Sequence, residues 1–246
     1  MVALAGREGT NESDRTPQAG SDWNKIIEIQ VGAIPEYDTF IVHKVQLGKV
    51  KWFRVCLQAP MREAEEGVIR MPEDDPAVFA ELLHFIYFDK LSCDLCKLFD
   101  DRKIAENPNG KIIYLEKATN VFKLYSLAKK LGMEKLQNIA LDAVIDYNNL
   151  CAPSNNMLNY MAANSDDEDA LYRYIFQYLA VGAFTYSSDW LEGLLIYRNG
   201  IAKSHELQSE LTRAMIKHKN GTLPAEYSFM ARCNAWHTHI ETEKCA

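Results

Sequence analysis

The sequence predicts a mixed α/β domain that runs on into an all-helical region. Three observations carry this. Two short runs rich in β-branched residues sit on either side of a turn near the start. A third such run ends at a proline and passes directly into an amphipathic helix. After that, apolar residues recur only at helical spacing, almost to the end of the chain.

Residues 1 to about 22 are rich in Gly, Ser, Thr, Asn, Asp and Glu and have no apolar period, so they read as a disordered tail. Lys25 to Val31 is strand-like, and the Gly-Ala-Ile-Pro-Glu-Tyr-Asp connection leads to a second strand, Thr39 to His43, as in a hairpin. From Lys44 to Leu57 the pattern is helical or irregular, with Trp52, Phe53 and Leu57 as core candidates. Gly67 to Met71 is the third strand. Pro72 stops it, Asp75 is placed to cap the next helix, and Pro76 fills the first helical position, where a missing N–H costs nothing. Phe79, Leu82, Leu83 and Ile86 then form one apolar face.

Ser92 to Gly110 is polar and irregular, broken at Asn107-Pro108-Asn109-Gly110. Leu124, Leu127, Ala128 and Leu131 restore a helix that Gly132 stops. Leu136, Ile139, Ala140, Ala143, Val144 and Tyr147 form the next stripe, so these two helices pack as a hairpin that Pro153 ends. The acidic run 165–169 suits the N-terminus of a further helix carrying Leu171, Tyr174, Ile175, Tyr178 and Leu179. Two more helical stretches fall near Trp190 to Tyr197 and Lys203 to Lys219.

Several function classes lose support at this level. The longest mainly apolar stretch, Tyr174 to Phe184, is too short for a bilayer span, and no secretory signal is visible. The six cysteines are scattered, which fits reduced thiols in the cytoplasm or nucleus better than a disulfide scaffold. A net charge of −7 with dispersed Lys and Arg gives no nucleic-acid footprint. No phosphate loop, nucleophile elbow or His-Glu-x-x-His pair occurs, so no enzyme is expected. His43 at a strand end reads as a packed or capping histidine, and Asp74 and Asp75 as helix-capping carboxylates rather than an acid–base pair. Cys93-x-x-Cys96 reads as two local thiols, since an isolated pair is weak as half a zinc site. The aromatic stripe from Tyr172 to Tyr186 reads as core.

One stretch is more specific. Phe40-Ile41-Val42-His43-Lys44, Trp52-Phe53-Arg54, the run Glu66-Gly67-Val68-Ile69-Arg70-Met71-Pro72-Glu73-Asp74-Asp75-Pro76 and Leu82-Leu83-His84-Phe85-Ile86-Tyr87 together resemble the BTB/POZ family, most closely its fungal branch. Leu124 to Gln137 is similar to that branch's helical extension. The resemblance covers roughly residues 24 to 150 and implies a BTB/POZ fold, a small sheet flanked by helices. The implied division is a BTB domain over 23–150, an insertion over 92–119, and a helical C-terminal region over 151–246.

The resemblance also implies work through other proteins: a homodimeric scaffold, or a substrate adaptor for a cullin-type ubiquitin ligase. Met61 and Glu63 would then contact the cullin, in the place of the family's hydrophobic-x-Glu motif. The bland alternative is that Met61 covers the domain's own core. No cofactor is assigned. The tail does hold Cys233, His237, His239 and Cys245, four residues that zinc accepts, and an extended Trp236–Ile240 would turn both histidines to one side. The alternative function is therefore a zinc-containing, nucleic-acid-associated regulator built on that cluster. The contrary reading is a polar tail that merely contains two histidines and two thiols.

Overall fold

In the computed structural model the described residues are 25–58, 63, 66–92, 108–148, 153–166, 168–185, 209, 212–216, 219, 233 and 235–243. Strands β1 (Ile26–Val31), β2 (Asp38–His43) and β3 (Val68–Met71) form one sheet in the order β2-β1-β3. β1 pairs with β2 antiparallel, Ile27 opposite Val42 and Ile29 opposite Phe40. It pairs with β3 in parallel, Ile29 beside Ile69 and Val31 beside Met71. A parallel partner needs a crossover, which here includes α1 (Lys44–Leu47) and α2 (Lys51–Gln58). Strand alternation sends Ile27, Ile29, Val31, Val42, Ile69 and Met71 into the core, while Ile26 and Ile41 stay exposed.

Helix α3 (Pro76–Phe88) meets β2, with Phe79 against Phe40 and Tyr87 against His43. Its start is as the sequence predicts: Asp75 is the N-cap, its carboxylate accepts from the Ala77 N–H at 2.9 Å, and Pro76 stands first in the helix. Phe79 is fully buried and stacks edge-on to Phe53 of α2. Trp52 and Leu57 are only partly buried.

α4 (Pro108–Leu131) and α5 (Glu134–Asn148) form the expected helical hairpin. Gly132, at φ +68°, makes the joint, with Gly132 N–H bonded to the Lys129 carbonyl and Met133 N–H to that of Ala128. The expected break over 107–110 is not a break after Pro108, because the helix runs unbroken from that residue. Proline opens a helix as readily as it interrupts one, and an internal glycine costs only about 1 kcal/mol. Residues 108–119 of the expected insertion are thus helical, and 93–107 lie outside the described residues.

The sequence reading places no helix over α6 (Asn155–Asn164), whose four asparagines disguise a stripe of buried Met157, Leu158 and Met161. Ser154 caps it, accepting from the Met157 N–H at 3.3 Å. α7 (Ala170–Thr185) begins after the acidic run, and Asp169 accepts from the Leu171 N–H at 2.9 Å. Tyr174 and Phe176 are buried, as expected of a core stripe. One contiguous apolar core extends from the sheet through α4, α5 and α7 to Trp236 in the tail. No described helix is long and apolar enough to cross a membrane.

Candidate metal centre

The tail residues converge on one face of α5. Glu134, Asn138 and Asp142 are spaced four apart, which stacks them along one side of a helix. Each holds a different part of the tail. The Glu134 carboxylate, almost fully buried, accepts the N–H groups of Ile240 and of Glu241, the latter at 2.6 Å. Asn138 pairs with both main-chain groups of Thr238, donating to its carbonyl at 2.8 Å and accepting its N–H at 2.9 Å. Asp142 meets His237 Nε2 at 3.0 Å. Trp236 anchors the other side, edge-on to Tyr174 of α7 with ring centroids 5.8 Å apart.

This grip folds back the short stretch holding Cys233, His237 and His239, with a ring nitrogen of each histidine and the cysteine sulfur all within 4.8 Å of one another. His239 Nε2 is 3.2 Å from Cys233 Sγ, and its Nδ1 is 3.2 Å from Thr242 Oγ1. The Cys233 sulfur belongs to a residue only 3 % exposed, and the His237 side chain is 2 % exposed. Sequence spacing had named these three residues, and the structure brings them together. Cys245 lies outside the described residues. The residues that sequence reasoning missed are Glu134, Asn138 and Asp142. Their four-residue spacing is legible once the apolar stripe of α5 is drawn, because they fall between its members.

The other candidates fall elsewhere. Met61, Cys93 and Cys96 lie outside the described residues. Glu63 is half-buried, its carbonyl accepts the Gly67 N–H at 3.0 Å, and its charge adds to burial in pushing up the Cys56 thiol. His43 is more than 40 residues from its partner in sequence: its Nδ1 meets the Tyr87 hydroxyl at 2.8 Å, a packing contact between β2 and α3. Asp74 and Asp75 are both spoken for, by Lys130 at 2.8 Å and Lys123 at 2.5 Å. They line a cavity of about 570 Å³ with Tyr160 and Asn164. Burial opposes ionisation of Asp75, but the Lys123 hydrogen bond and charge and the Ala77 and Val78 amides outweigh it and hold the carboxyl below its ordinary range.

No protein-family model matches the chain, and no curated protein matches it either.

Proposed function

We propose that this chain is a protein-interaction module of BTB/POZ type, a homodimeric scaffold or a cullin-ligase substrate adaptor that acts by binding and not by catalysis. The observation that carries the reading is the sheet: an antiparallel β1–β2 hairpin, a crossover that includes α1 and α2, and a third strand returning parallel to β1 before an Asp-capped helix. That order agrees with the motif order in residues 40–87 on which the resemblance rests. Exposed Ile26 and Ile41 on the outer sheet face and Phe88 at the end of α3 add apolar surface of the kind that partners cover.

The nucleic-acid alternative draws less support. Among the described residues, the side chains that hold the Cys/His stretch to α5 are Glu134, Asn138 and Asp142, and none of them is the Lys or Arg that a phosphate backbone calls for.

Sedimentation of the full chain at micromolar concentration is expected to give a dimer, and a clean monomer removes the scaffold version. Pull-down with cullins tests the adaptor version: Met61→Ala with Glu63→Lys is expected to abolish capture while leaving the melting temperature unchanged. Unmutated chain that captures no cullin removes that version.

A further inference from the structure

We propose that Cys233, His237 and His239 bind one zinc ion, and that the metal fastens the C-terminal tail across the first half of α5. The reading is independent of the interaction role above.

Donor chemistry comes first. One thiolate and two imidazoles form a mixed sulfur–nitrogen set, which suits zinc and disfavours magnesium and calcium, whose ligands are oxygens. Geometry agrees. Zinc bonds of about 2.3 Å to sulfur and about 2.0 Å to nitrogen, at a tetrahedral angle, put sulfur and nitrogen about 3.5 Å apart. The observed Cys233–His239 separation is 3.2 Å, and all three donors fall within 4.8 Å.

The outer partners decide which nitrogen each ring presents. A carboxylate only accepts, so His237 Nε2 carries the hydrogen given to Asp142, and Nδ1 holds the lone pair. In His239 the roles reverse: Nδ1 is engaged with Thr242 Oγ1, and Nε2 is the nitrogen that faces the sulfur. A carboxylate behind a ligating imidazole orients the ring and strengthens it as a donor. Glu134 and Asn138 position the same stretch by its main chain, which adds to the hold that Asp142 has on His237.

A cysteine nucleophile activated by His239 is the competing use of the 3.2 Å contact. Cys233 is 3 % exposed, which removes its sulfur from any substrate in solution. A nucleophile also has no use for the second imidazole held at the same point. Three donors locate the ion without Cys245.

The test uses the full chain, purified without chelator, incubated with zinc and dialysed, with metal measured by plasma mass spectrometry. About one zinc per chain is expected, as in structural sites. Cys93→Ser with Cys96→Ser should keep it; Cys233→Ser and His239→Ala should lose it. Asp142→Ala should weaken zinc affinity about 10- to 100-fold while stoichiometry at saturating zinc survives. Cobalt(II) in the unmutated chain should show a thiolate-to-cobalt charge-transfer band and the intense visible bands of a tetrahedral ion, a readout that needs no variant to fold. Chain that retains no zinc overturns the proposal. So does zinc that leaves with Cys93 and Cys96 but stays in Cys233→Ser, or a cobalt spectrum without the sulfur band.

Discussion

Lys129 Nζ lies 2.5 Å from the Oδ2 of Asp169, whose side chain is completely buried. The same carboxylate caps α7 through the Leu171 amide and bonds the Tyr125 hydroxyl, which in turn accepts from Gln137 at 3.0 Å. One buried carboxylate therefore ties α4, α5 and α7 together, and burial with that negative neighbour raises the Tyr125 pKa. Removing the cation strands the anion. Lys129→Met is expected to destabilise the fold by about 2 kcal/mol, moderated because water reaches the lysine end of the pair. Adding Asp169→Asn should restore part of that loss, and urea unfolding of both single variants and the double variant gives the coupling.

Asp75 makes the fold acid-sensitive in a defined direction. Its carboxyl titrates below its unfolded value of 3.8, so its stabilisation is complete above that pH and is lost as pH falls through the lower folded value. Asp75→Asn keeps a good cap but removes the Lys123 pair, and should flatten the stability profile below about pH 4. Asp75→Ala removes the cap as well and should cost about 1 kcal/mol at neutral pH. Chemical denaturation across pH separates the two contributions.

The Asn138 clasp should be felt locally before it is felt globally. Asn138→Ala leaves both main-chain groups of Thr238 without their side-chain partner, at a cost of about 1–2 kcal/mol. Amide hydrogen exchange should accelerate over 236–242 and stay slow in the β1–β3 pairs. Exchange that accelerates equally in the sheet would mean that the tail is no separate unit of stability.

His43 is expected to behave as a structural residue. Tyr87→Phe removes the hydroxyl that meets its ring and its main-chain N–H, both contacts at an exposed position. The change in melting free energy should stay within about 1 kcal/mol. A larger loss would assign the pair a part in the core.

Much of the fold was legible because its punctuation is local. Asp75-Pro76 and Gly132 act on their own neighbours, so reading them needs no tertiary knowledge, and the structure places a cap, a helix start and a helix stop at those residues. α6 escaped because asparagine lowers helix propensity while Met157, Leu158 and Met161, buried against their surroundings, override it. At the candidate site the ligand types were visible in the spacing of Cys233, His237 and His239. What holds them was not, since Asp142 and Asn138 lie about a hundred positions away and reach the tail only once α5 is folded.

That separation governs time as well as place. Asn138 and Thr238 close a loop of 100 residues, whereas Gln137 and Tyr125 close one of 12. Loop entropy rises by roughly 0.6 kcal/mol for each doubling, so the tail contact starts about 2 kcal/mol behind the helical hairpin. It is expected to dock last, onto a helix already formed, and to detach first when the chain is stressed. Residues 236–242 are thus expected to behave as a latch that opens and recloses on a rapid local clock while the three-stranded sheet stays shut.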